Sequence, residues 1–193
     1  MKKKGIPQKT KNLTIGALLA AMGVAIIFLG SFIEALDLTV AALASFFCIF
    51  AVIELGGIYP WLIFATTGIL SVILMPQSLG GWFYLLIFGY YPILKNKIDR
   101  LPRYVGWILK IVLCNLSLLI LTIVSFFMFF GNTEGKNIFD AFILTFGGEG
   151  AGEALAIGVY LLANLTFIIY DVALNRIIRV YFVRIRPKFK FLK

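Results

Sequence analysis

Lys95-Asn-Lys-Ile-Asp-Arg-Leu-Pro-Arg103 is a basic island in an otherwise apolar chain. No Lys or Arg occurs between Lys11 and Lys95, and after Lys110 only Lys136 interrupts a second cation-free stretch that lasts to Arg176. Water does not hold a surface of that kind, whereas a bilayer solvates it, so the island marks a loop between membrane-spanning segments. Apolar residues make up 61% of the 193 residues, charged residues 14%, and mean hydropathy is +0.99. Soluble domains sit near 45–50% apolar and about 25% charged. The expectation is an all-α, polytopic membrane protein.

The net charge of +9 does not point to nucleic acid. The cations sit at the two ends and in the island, where they flank apolar segments and act as topology determinants at an anionic cytoplasmic leaflet. Cys48 and Cys114 both fall inside apolar runs and read as small buried hydrophobes. With no His and no paired thiols, neither a transition-metal site nor a cofactor is expected.

Outward from the island, six apolar segments follow from length and punctuation. Segment one runs from Asn12 to Ile33 behind Lys2, Lys3, Lys4, Lys9 and Lys11, and segment two from Leu38 to Leu55 after the acidic turn of Glu34 and Asp37. Segment three, Pro60 to Met75, opens on a proline whose missing N–H falls where a helix has no acceptor for it. Pro76-Gln-Ser-Leu-Gly-Gly81 is a turn, and segment four, Trp82 to Leu94, carries aromatic residues at both ends, with Pro92 ending or kinking it before the island. Segment five runs from Tyr104 to Phe130. The Gly-rich stretch Gly131 to Gly152 precedes segment six, Glu153 to Arg176.

These segments predict a six-transmembrane-helix bundle with both termini in the cytoplasm of a bacterial cell (inner) membrane. Residues 1–11 form a basic N-terminus, 12–178 the transmembrane domain and 179–193 a basic tail. Lys136 is then the sole cation on the outer side, in agreement with the positive-inside rule.

Catalysis is not expected. There is no Gly-x-Ser-x-Gly elbow, no phosphate-binding loop and no His-Glu-x-x-His helix. Any ATP-driven work therefore belongs to separate subunits. The acids carry more: in this topology Glu34, Asp37, Glu149 and Glu153 face outward, and with a Gly-rich flap and aromatic rim they define a mouth attractive to a cationic or amine-bearing solute. The plainer alternative is that they are solvated loop acids. Asn115 and Asn164 lie deeper, either bonding between helices or lining a cavity. Asp171 and Glu54 are expected to pair with cations near the membrane surface.

Gly16 to Ala20 and the series Ala17, Ala21, Ala25 repeat every four residues, so small side chains line adjoining strips of segment one. Those strips serve either packing within the bundle or docking of a partner protein.

With six spans and a small-residue first helix, the chain resembles the S components of energy-coupling factor (ECF) transporters, the substrate-binding subunits for vitamins or metals. Ala17-Leu-Leu-Ala-Ala21 is similar to the Ala-x-x-x-Ala pattern by which such subunits dock on their coupling membrane subunit. The resemblance implies a solute site near the outer face and toppling of the subunit after capture. It implies solute-binding roles for Glu34, Asp37, Trp82, Tyr84, Asn115, Glu149, Glu153 and Asn164, and partner docking by Gly16, Ala17, Ala20 and Ala21. The chain also looks similar to the MreD family of cell-shape membrane proteins, which would make it a scaffold or assembly factor with no small-molecule substrate.

Overall fold

The structure, a computed structural model, describes residues 7–33, 36–130 and 153–185. All regular elements among them are helical: α1 (Gln8–Gly30), α2 (Asp37–Glu54), α3 (Tyr59–Leu74), α4 (Leu79–Phe83), a π-helical turn (Tyr84–Phe88), α5 (Tyr91–Ile98), α6 (Arg103–Phe130), α7 (Glu153–Val180) and a second π turn (Tyr181–Ile185). They group into two compact units, residues 1–121 and 122–193, with the boundary inside α6.

Four helices, α1, α2, α6 and α7, are long and apolar enough to cross a membrane, as a multi-pass membrane protein requires. Segment three forms the 16-residue α3, about 24 Å at 1.5 Å per residue, short of a hydrocarbon core of roughly 30 Å. Segment four is broken. Gly89 N–H donates to the Tyr84 carbonyl at 2.7 Å, the wider bond of a π turn, and Pro92 in the first turn of α5 has no N–H to continue an α-helical ladder. The kink falls ahead of the island, and α5 carries on into it: Lys95 and Lys97 occupy the last turn, where cations complement the helix dipole. At the far end of the chain α7 also outruns the segment, continuing past Arg176 into the basic tail.

In the first unit α2 is the central element and packs on α1, α3, α4 and α5. Its sequence explains the position. Ala41, Ala44, Ser45, Cys48 and Ala51 are at most 1% exposed, and their small side chains let other backbones close in. Gly30 marks a close approach of α1 and α2: a Cβ there would collide with the Val40 side chain. Gly56 and Gly57 turn the chain from α2 to α3 with φ of +60° and +57°, the left-handed region open to glycine.

The outer faces of α1 and α3 are apolar. On α1, Leu13, Leu18, Met22 and Leu29 are all exposed, as are Leu62, Ile69 and Ile73 on α3. A bilayer, not water, is the solvent for such faces. In the second unit α7 buries Phe167, Tyr170, Asp171 and Leu174, an i, i+3, i+4, i+7 stripe, while Leu161, Leu162, Leu165 and Ile169 stay outside.

Candidate functional site

Small residues set the geometry on α1. Gly16, Ala20 and Gly23 are buried, facing Ile63 and Thr67 of α3, and a Cβ on Gly23 would sit 2.9 Å from Thr67 Cγ2. Thr67 Oγ1 donates a long hydrogen bond, 3.4 Å, to the Ala20 carbonyl. This strip packs within the bundle. The adjoining strip does not: Ala17, Ala21 and Ala25 are exposed.

Ala17 and Ala21, with Gly16 and Ala20, floor a groove of about 250 Å³ walled by Leu13 on α1 and by Tyr59, Leu62, Thr66 and Leu70 on α3. The two halves of the small-residue pattern therefore have different surroundings. A furrow floored by alanines and walled mainly by apolar side chains suits another helix, because close backbone approach maximises dispersion contact where no hydrophobic effect drives association.

Three of the residues expected to bind a solute, Asp37, Trp82 and Tyr84, lie at or beside α4. Asp37 is 6% exposed, at the start of α2. Its Oδ1 accepts from Ser78 Oγ and its Oδ2 from the Leu79 N–H, each at 3.1 Å. Ser78 in turn accepts from the Gly80 N–H as the N-cap of α4. Gly80 admits the carboxylate, since a Cβ there would lie 3.0 Å from Asp37 Oδ1. Asp37 thus locks α2 to the start of α4.

Trp82 donates its indole N–H to the Pro76 carbonyl at 3.3 Å, closing the turn before α4. Tyr84 is fully buried, its ring 6.1 Å from that of Phe64. Asn115 on α6 and Asn164 on α7 each direct their amide N–H back to their own helix, to Ile111 at 2.9 Å and Tyr160 at 3.1 Å. Glu34, Glu149 and the side chain of Glu153 lie outside the described residues. Asp37, Trp82 and Tyr84 are thus gathered around α4, and each is engaged there by the fold.

A charged cluster at the α5–α6 corner was not foreseen. Lys95 and Lys110, at 2% and 7% exposure, are buried. Asp99 bridges them, with Oδ2 at 3.4 Å from Lys95 Nζ and Oδ1 at 2.7 Å from Lys110 Nζ. Each ammonium also approaches an aromatic face, Lys95 that of Tyr91 at 5.9 Å and Lys110 that of Trp107 at 5.7 Å, a favourable arrangement for a desolvated cation. Nearby, Tyr90 and Ser117 share a hydroxyl hydrogen bond, and Ser117 also reaches the Leu113 carbonyl at 2.8 Å. The Lys95–Asp99 spacing of four on one helix was the available signal. Lys110 is brought in by the fold.

Among the described residues no group of three or more His, Cys, Asp and Glu is placed to hold a metal ion. No family model, curated protein or solved structure matches the chain.

Proposed function

We propose that this chain is a six-span membrane protein with both termini cytoplasmic, and that it acts as the substrate-capturing subunit of an ECF-type uptake transporter in a bacterial cell membrane. The observation that carries the reading is the α1–α3 groove with Ala17 and Ala21 exposed on its floor. A helix of a coupling membrane subunit fills that groove, and separate ATPase subunits supply the energy. The solute is small and amine-bearing, of the vitamin-like class, and is drawn to the outward acids Glu34, Glu149 and Glu153. Asp37, already bonded to Ser78 and Leu79, holds the fold in this account and leaves solute attraction to the other three.

The test is co-purification. Ala17→Leu together with Ala21→Leu should release the coupling subunit and the ATPases while solute binding persists, because the leucines fill the groove that the partner helix needs. Unchanged co-purification would sink the docking role. A membrane scaffold or assembly factor that binds only proteins is the second reading. It is favoured by one observation: Asp37, Trp82 and Tyr84 are engaged within the fold around α4. Such a protein needs the groove and no solute.

A further inference from the structure

The α5–α6 corner is tightly built. Asp99 and Arg100 N–H donate to the Lys95 and Lys97 carbonyls, Leu101 N–H closes on Ile98, and α6 starts after Pro102. The first turn of α6 passes α5 at ordinary van der Waals distance: a Cβ on Gly106 would lie 3.5 Å from the Ile98 carbonyl oxygen. Three cations project from this corner: Lys97, Arg100 and Arg103 are exposed. None makes an ion pair with an acid among the described residues. Asp99, the acid in their midst, has both oxygens turned to Lys95 and Lys110, so its charge is committed to the buried lysines.

The apolar side of the same corner is also exposed. Tyr104 is 84% and Trp107 38% exposed, beside exposed Val105 and Ile108. Tyr104 adjoins Arg103 and Trp107 follows it by one turn of α6, which matches the order of a lipid leaflet, with phosphates at the surface, then the interface, then acyl chains.

We propose that Lys97, Arg100 and Arg103 form a binding site for the phosphate headgroup of an anionic phospholipid, whose glycerol and upper acyl chains lie against Tyr104 and Trp107. Guanidinium groups hold phosphate oxygens through paired N–H donors, and the outward charge at this corner is net positive, since Asp99, 43% exposed, is paired with Lys95 and Lys110. The site rests on the membrane-embedded reading of the chain and is independent of any transport role.

Trp107 reports on the site directly. In a Trp61→Phe, Trp82→Phe background it is the sole tryptophan, and its quenching by brominated lipids in reconstituted bilayers gives the relative affinity of each headgroup. Brominated phosphatidylglycerol should bind about 10- to 100-fold better than brominated phosphatidylcholine, as expected for three cations near an anionic surface. Lys97→Gln, Arg100→Gln, Arg103→Gln combined should abolish that preference. A charge-matched control, Arg176→Gln, Arg179→Gln, Arg184→Gln, removes three exposed cations of the second unit and should leave it intact. Equal quenching by the two lipids before substitution, an unchanged preference in the corner variant, or an equal loss in the control would overturn the proposal.

Inorganic phosphate should not displace the brominated anionic lipid; displacement would assign the site to free phosphate and overturn the lipid. Should the corner variant fail to fold, lipid mass spectrometry of the unsubstituted protein from its native membrane decides. Anionic lipid retained in excess over the bulk membrane supports the site, and bulk composition overturns it. Failure of the chain to insert into bilayers would instead strike the membrane-embedded reading.

Discussion

The carboxylate of Asp37 accepts the Leu79 N–H at 3.1 Å across 42 residues of sequence and so ties the start of α2 to the start of α4. A buried charge is tolerable there because each oxygen has a donor, the backbone at Leu79 and the hydroxyl of Ser78. Asp37→Ala should lower stability by about 1.5–3 kcal/mol, the usual cost of losing charge-assisted hydrogen bonds. Asp37→Asn, which keeps one acceptor oxygen, should cost less. Denaturant titration in detergent measures both, and an Asp37→Ala protein of unchanged stability would return Asp37 to the candidates for solute contact.

Asp99 joins two buried lysines, so removing it takes one carboxylate partner from each ammonium group. Fully enclosed pairs cost about 3–5 kcal/mol when one partner is deleted. Asp99 is 43% exposed, and water will answer part of the loss, which places Asp99→Ala nearer ~2 kcal/mol. A double-mutant cycle with Lys110→Met should show coupling, since the pair at 2.7 Å is the shorter of the two. Strict additivity would mean that the contact contributes nothing.

Close packing of α1 on α2 rests on an absent side chain. Gly30→Ala drives a methyl into the Val40 side chain, an overpacking that typically costs about 1–3 kcal/mol. Val40→Ala in the same chain should recover only part of it, because the Val40 Cβ that alanine retains would still lie 2.8 Å from the added methyl. Gly16→Ala is the internal contrast: its Cβ would meet Ile63 at an ordinary 3.6 Å, and the substitution should be neutral or mildly stabilising. Thermal unfolding of the four proteins separates these outcomes, and equal effects at Gly16 and Gly30 would refute the α1–α2 contact.

Topology is open to chemical labelling. Cys48 and Cys114 are 0% and 3% exposed, so the chain provides a quiet background for an introduced cysteine. With both termini cytoplasmic, a membrane-impermeant maleimide should label Lys136→Cys in intact cells and reach Lys97→Cys only after the cells are opened. Labelling of both in intact cells, or the reverse order, would contradict six spans in this orientation.

Long hydropathy runs made α1, α2, α6 and α7 legible, with boundaries within a few residues of those found, because a bilayer imposes length and apolarity on each helix separately. Pro60 likewise marked the first turn of α3. The roles of the polar residues were not legible. Whether Asp37 faces a solute or a helix start depends on Ser78 and Leu79, distant in sequence, and the burial of Lys95 and Lys110 depends on how α5 meets α6. A four-residue repeat of small residues showed that α1 has close contacts but not which strip the bundle would take. The structure assigns Gly16, Ala20 and Gly23 to α3 and leaves Ala17, Ala21 and Ala25 exposed.

The central claim is that the exposed alanines of α1 hold this chain in a transporter that captures a solute. Its most direct test is purification from the native host in mild detergent, with mass spectrometry of both the accompanying proteins and any retained small molecule. The account predicts a coupling membrane subunit, ATPase subunits and a bound amine-bearing metabolite, with the proteins lost and the metabolite kept in the Ala17→Leu, Ala21→Leu variant. Cell-wall or cytoskeletal partners with no metabolite would contradict it and make the chain a scaffold.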